Sequence, residues 1–146
     1  MTLFEILKIK GSEVFTIRPD ATLDEAAKEL VRRGVGSLVV CERDLEAGER
    51  VVGIISERDI LRYCAAGKGP LDAARVRDIM TTAVVTGSPQ DSVEGTMGLM
   101  TTRRIRHLPV LSQDRLIGLI SIGDVVKHQH DHLAMENQFM KSYLTG

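Results

Sequence analysis

Apolar positions in this chain come in two rhythms: short aliphatic runs, and longer stretches with helical spacing. Residues 2–9 place Leu3, Ile6 and Leu7 on one helical face. Val14-Phe15-Thr16-Ile17 reads as a short strand stopped by Pro19. Thr22 then caps a helix that carries Ala26, Ala27, Leu30 and Val31 and stops at Gly34, with Glu25 placed to complete a capping box. Ser37–Cys41 is a buried strand, Arg50–Ile55 its neighbour, and a helix runs from Glu57 to Ala66. Gly67-Lys68-Gly69-Pro70 breaks that helix, and 76–80 make a helical turn. The same order then returns: a strand at 83–86, a helix from Ser92 to Arg103, strands at 107–111 and 115–120, and a closing helix.

The recurrence is also literal. Val52-Gly53-Ile54-Ile55-Ser56-Glu57-Arg58-Asp59-Ile60 reappears as Ile117-Gly118-Leu119-Ile120-Ser121-Ile122-Gly123-Asp124-Val125. Thr16-Ile17-Arg18-Pro19 matches Thr86-Gly87-Ser88-Pro89 at an offset of 70, and Gly36-Ser37-Leu38-Val39-Val40 matches Arg106-His107-Leu108-Pro109-Val110 at the same offset. The Gly-x-x-Ser motifs are offset by 65. The first copy therefore carries about five extra residues between its second and third strands, and the polar stretch 42–49 predicts a longer hairpin loop there.

Each copy is a β-α-β-β-α unit, so the fold class is α/β (α+β). One copy, about 60 residues around a three-stranded sheet, would be marginal alone. Two copies packed through their sheets with pseudo-two-fold symmetry share a core, and such an arrangement leaves paired clefts. The expected boundaries are repeat 1 at 10–66, a connector at 67–79, repeat 2 at 80–127 and a helical tail at 128–146.

At 146 residues the chain is long enough for one compact module, and a net charge of −1 supplies no basic field for nucleic acid or anionic lipid. Aromatic residues make up 3%, so the core must be aliphatic. No apolar run approaches the roughly 20 residues of a membrane span, and the first residues do not read as a signal peptide. Cys41 and Cys64 read as reduced thiols, which places the protein in the cytoplasm.

The order strand–Thr-x-x-Pro, helix, strand with Leu108-Pro109-Val110, then Gly-x-x-Ser-x-x-Asp and a helix, found twice, resembles a tandem pair of cystathionine-β-synthase (CBS) domains of the small stand-alone bacterial type. The likeness covers about residues 10–127, and order, spacing and duplication all agree; the first copy departs from it with Leu38-Val39-Val40. The resemblance implies regulatory binding of an adenosyl ligand, AMP, ATP, NAD(H) or S-adenosylmethionine, between the repeats. It also implies a homodimer and a signal to an enzyme or transporter in trans.

By themselves, Ser56 with Asp59 and Ser121 with Asp124 read first as helix caps. Their duplication in a CBS context turns them into ligand groups. The aspartates would accept bonds from ribose hydroxyls, and the serines would meet ribose or phosphate. Aspartates consumed wholly by their own backbone amides and facing no cavity would exclude that role. Arg103-Arg104-Ile105-Arg106-His107 is the one dense basic cluster; it suits a helix C-terminus, and the resemblance sets Arg106 and His107 on the ligand edge, where they could meet phosphate. Arg58 faces either phosphate or solvent, and Lys10 lies on either a ligand edge or an exposed linker. Thr16, Thr86, Leu108 and Ile120 complete the ligand-facing set that the resemblance implies.

His128 and His132 share a helical face, but no zinc signature accompanies them, and the segment reads as a solvated helix. Leu133, Met140 and Leu144, with Phe139 and Tyr143, form a loose apolar stripe for packing or dimerisation. No catalytic triad, P-loop or metal constellation is present, so the chain reads as no enzyme. The competing readings are a ligand-independent interaction or dimerisation module and, more remotely, a nucleic-acid binder.

Overall fold

The structure, a computed structural model, describes residues 1–11, 13–44 and 48–145, the last three by backbone alone. The side chains of Tyr143 and Leu144 and the loop residues 45–47 therefore lie outside the described residues. The elements are α1 (Leu3–Lys10), β1 (Thr16–Ile17), α2 (Leu23–Arg33), β2 (Ser37–Asp44), β3 (Gly48–Ser56), α3 (Glu57–Ala65), a 3-10 turn (Leu71–Ala73), α4 (Val76–Ile79), α5 (Val93–Arg103), β4 (His107–Ser112), β5 (Arg115–Ser121) and α6 (Ile122–Thr145). They form two compact units. One contains Glu13–Val85 and Leu111–Ile117; the other contains Met1–Ser12, Thr86–Val110 and Gly118–Gly146.

In the first-repeat unit β1 runs parallel to β2, and β2 antiparallel to β3. The aliphatic runs predicted this. Leu38, Val39 and Val40 are all fully buried, as expected of a central strand covered on both faces. Leu23, Ala26 and Leu30 of α2 join Leu38, Val40, Ile55, Ile60 and Val76 in one core. Thr22 caps α2 by accepting the Glu25 N–H at 3.1 Å, and Gly34 ends it in the left-handed conformation at φ 64°. Arg104 holds the matching position after α5 at φ 55°, although it is not glycine.

Two expectations change. The five extra residues of the first copy go largely into the ladder rather than the loop: Glu42 pairs with Arg50, Arg43 with Glu49 and Asp44 with Gly48. Alternating charges support this extension, because Glu42 ion-pairs with Arg50 across the strands and Arg18 reaches Glu49 at 2.8 Å. The strand expected at 83–86 shrinks to one parallel bridge between Gly87 and Val110. In the first repeat, Val39 N–H donates to the Phe15 carbonyl at 3.2 Å. Pro109 stands in the place of Val39 and has no N–H, so only the bond from Gly87 N–H to its carbonyl remains, at 2.9 Å. In β4 and β5, Gln113 and Asp114 form a two-residue turn with φ 50° and 63°, the geometry that matches strand twist.

The two units differ from chain order in the short helix that leads each repeat. α1 sits with second-repeat residues: Leu3 N–H donates to Asp91 O, Phe4 N–H to Pro89 O and Val93 N–H to Met1 O, each at 3.0 Å. α4 repeats this pattern in the first-repeat unit: Val76 N–H to Ala21 O (2.8 Å), Arg77 N–H to Pro19 O (2.9 Å) and Leu23 N–H to Ala74 O (3.0 Å). The first N–H groups of a helix have no internal partners, and the proline turn supplies its carbonyls to them. A short helix thus precedes each β-α-β-β-α repeat, and it belongs to the compact unit built mainly from the other repeat.

Candidate functional site

The glycine of each Gly-x-x-Ser motif lets the leading helix lie against the strand. A Cβ on Gly53 would stand 2.6 Å from Met80 Sδ and 3.0 Å from the Thr81 carbonyl. A Cβ on Gly118 would overlap Leu7 Cδ2 and stand 2.9 Å from its Cδ1. A larger residue at either position would have to displace these groups. Three residues on, the strand ends at a serine and a helix begins.

In the first-repeat unit Ser56 and Asp59 form a closed capping box. Asp59 Oδ2 accepts from Ser56 N–H at 2.8 Å and from Ser56 Oγ–H at 3.1 Å, and Ser56 Oγ accepts from Asp59 N–H at 3.4 Å. Glu57 N–H donates to the Gly36 carbonyl at 3.0 Å, which ties the start of α3 to the entry of β2. Ser37 follows, in register with Ser56. It is 2% exposed, and its hydroxyl has no partner among the described residues. The sequence reading did not single out this buried orphan hydroxyl beside the start of α3. Its one sequence signal is a polar residue opening an otherwise apolar strand.

Arg58 is exposed beside this box. Thr16 is exposed on β1 and lines a separate polar hollow of about 540 Å³ with Arg18, Asp20, Glu29 and Arg75; Ser56, Arg58 and Asp59 do not line it. An apolar hollow of about 560 Å³ between α2 and α3 touches Gly36 and Glu57 but none of the predicted ligand groups.

The second-repeat unit repeats the box and adds a cation. Asp124 Oδ2 accepts from Ser121 N–H at 2.8 Å, and Ser121 Oγ accepts from Asp124 N–H at 3.0 Å. Lys10, in the last turn of α1, places Nζ 2.5 Å from Asp124 Oδ2 and 2.8 Å from the Leu119 carbonyl. Burial works against the Asp124 charge, but the bonds from Lys10 and Ser121 outweigh it and hold the carboxyl below its ordinary value. Ile122 N–H donates to the Arg106 carbonyl at 2.8 Å, the counterpart of the Glu57–Gly36 bond. Lys10, Ser121 and Asp124 are thus brought together, with the backbone of Arg106 beside the start of α6. Arg106 is exposed and His107 half-buried at the start of β4. Thr86 is exposed just before the Gly87 bridge. Leu108 and Ile120 are fully buried core side chains.

Neither aspartate is consumed by its cap. Oδ2 takes every hydrogen bond that either carboxylate accepts, and Oδ1 of Asp59 and of Asp124 has no partner among the described residues. The Asp124 side chain is 26% exposed.

A family profile described as the CBS domain matches residues 4–66 and 76–131. The chain belongs to the CBS domain family. It is 35% identical to the mitochondrial CBS domain-containing protein CBSX3 of Arabidopsis thaliana, over 99% of this chain and 72% of that one. It is 36% identical to the CBS-domain containing protein ATU1752 of Agrobacterium tumefaciens, whose crystal structure matches with a TM-score of 0.79 over 88% of this chain and 99% of that one. At 24% identity and a TM-score of 0.77, over 90% of this chain and 98% of that one, it shares its fold with the CBS domain pair of protein MJ0100, whose crystal structure contains 5′-methylthioadenosine and S-adenosyl-L-methionine. CBS pairs are regulatory, non-catalytic modules, and some bind adenosyl ligands. Among the described residues, no helix is long and apolar enough to cross a membrane.

Proposed function

We propose that this CBS pair is a cytoplasmic sensor of an adenine nucleotide of the AMP, ATP or NAD(H) type. The carrying observation is the division of labour in the two aspartates: one carboxylate oxygen closes the helix cap, and the other is left to accept ribose hydroxyls at a helix N-terminus. Ser121 and the N–H groups of α6 suit a nearby phosphate, and Arg106, beside them, suits it further. Ser56, Asp59 and the Ser37 hydroxyl provide the corresponding groups in the first-repeat unit. Ligand that binds one arrangement of the chain better than another shifts the population toward it. A homodimer passing that shift to an enzyme or transporter in trans completes the reading.

The test is a thermal-shift panel of AMP, ATP, NADH, adenosine and S-adenosylmethionine. A ligand at 100 times its Kd should stabilise by about 2.7 kcal/mol. Asp124→Ala should remain folded and lose most of the shift. A panel in which no compound moves the wild-type Tm overturns the proposal. The competing reading, an interaction module without ligand, draws on Leu133, Met135, Phe139 and Met140 of α6, which are all more than half exposed.

A further inference from the structure

The two Ser-x-x-Asp boxes are alike in backbone and unlike in charge. Asp59 has no ion pair among the described residues, and its neighbours Glu57 and Arg58 are exposed and of opposite sign. Asp124 shares its capping oxygen with an ammonium that comes from the other end of the chain, 114 residues away. Resting on the nucleotide reading above, we propose that Lys10 sets the charge preference of the second-repeat site, favouring adenosyl ligands that carry phosphate over neutral or cationic ones.

The physical case starts from the carboxylate. A bare Asp at a nucleotide site suits ribose but repels phosphate, so ribose binding and phosphate binding compete for the same local field. Lys10 removes that conflict. Its Nζ bonds to Oδ2, the oxygen already occupied by the cap, and leaves Oδ1 for a hydroxyl. The pair is neutral, and the N-terminus of α6 then supplies the remaining field, which is positive. The backbone of Arg106 is held next to this terminus by the bond from Ile122 N–H to its carbonyl.

Lys10 is also held in place. The Leu119 carbonyl takes a second bond, and Gly11, at φ 98°, closes α1 by donating its N–H to the Leu7 carbonyl at 2.7 Å. Leu3, Ile6 and Leu7 anchor one face of the helix by burial. The ammonium is therefore preorganised at the carboxylate before ligand arrives, and its placement costs the bound state little. A sulfonium or other cation entering the same space would find the Asp124 charge already neutralised by Lys10 and would meet the positive helix terminus as a like charge.

The experiment is isothermal titration with AMP, adenosine and S-adenosylmethionine. It uses an Asp59→Ala background, so that heat reports the second-repeat site. The readout is the ratio of the adenosine Kd to the AMP Kd. Lys10→Met should lower this ratio by about tenfold, the effect of removing one nearby charge at partial exposure. Lys10→Arg should keep it, and the methionine variant should bind S-adenosylmethionine better relative to AMP. Lys10→Gln replaces the methionine variant if its Tm collapses, because it retains a donor for Leu119. A ratio unchanged by loss of the ammonium overturns the role of Lys10 while leaving nucleotide binding intact. Absence of binding by both AMP and adenosine to the parent overturns the nucleotide reading, and this inference with it.

Discussion

Gly118 offers the sharpest test of how the second-repeat unit is packed. Gly118→Ala adds one methyl group to β5 where Leu7 Cδ2 already sits, with Cδ1 at 2.9 Å and Cγ at 3.2 Å from the new carbon. Leu7 is 6% exposed, and Leu3 and Ile6 beside it are 0% and 3% exposed. Leu7 thus lies on the buried face of α1, away from the solvent-exposed Phe4 and Ile9. Overpacking of this kind costs about 1–3 kcal/mol, against a gain of about 0.4–1 kcal/mol from stiffening the unfolded chain. The midpoints of the two ranges leave a net loss of about 1 kcal/mol. Leu7→Ala alone should cost about 2–5 kcal/mol through lost burial and a cavity. In the double variant the new methyl enters the space Leu7 vacates. The combined loss should then fall short of the summed single losses by at least about 1 kcal/mol. Urea denaturation followed by far-UV circular dichroism measures all four proteins. Strict additivity, or a neutral Gly118→Ala, would show that α1 does not press on this strand, and the account of the motif glycine would fail.

Two further outcomes follow from the titrating groups. The Asp124 carboxyl is held below its ordinary value of 3.8, so its ionised form stabilises the fold at neutral pH and that contribution disappears as pH falls through the depressed value. The stability gap between wild type and Asp124→Asn should be full at pH 6 and shrink below about pH 4 in denaturation at stepped pH; a gap independent of pH contradicts the ion pair. Cys41 is 1% exposed, and its thiol is pushed up to about 11, by burial first and by Glu49 second, whereas Cys64 is exposed. A thiol-exchange reagent at pH 8 should consume one thiol per native chain quickly and the second only on unfolding, and rapid reaction of both would place Cys41 at the surface.

The competition between cap and ligand at Ser-x-x-Asp is resolved by counting oxygens. A carboxylate has two, and the box needs one. Capping and ribose binding therefore do not exclude each other at Asp59 or Asp124, although as sequence motifs they read as rivals. Lys10 extends the same economy: its ammonium shares the oxygen already used and leaves the other untouched.

What was legible without coordinates is what neighbours along the chain decide. Alternation and helical spacing marked β2, β3, β4, β5 and the helices, because burial of one face sets the period. Thr22, Ser56, Ser92 and Ser121 marked helix starts, because a cap satisfies N–H groups only two or three residues away. Duplication revealed the family, since the same local solutions recur at a fixed offset. The exchange of α1 and α4, the press of Leu7 on Gly118, the Lys10–Asp124 pair and the orphan Ser37 hydroxyl left almost no trace in the sequence. Each depends on residues brought together from distant parts of the chain or across strands, where closure of the fold rather than local preference chooses the partner. The lost strand at 83–86 has the same cause: Pro109 is unremarkable in its own run, and its missing N–H matters only once another segment lies beside it.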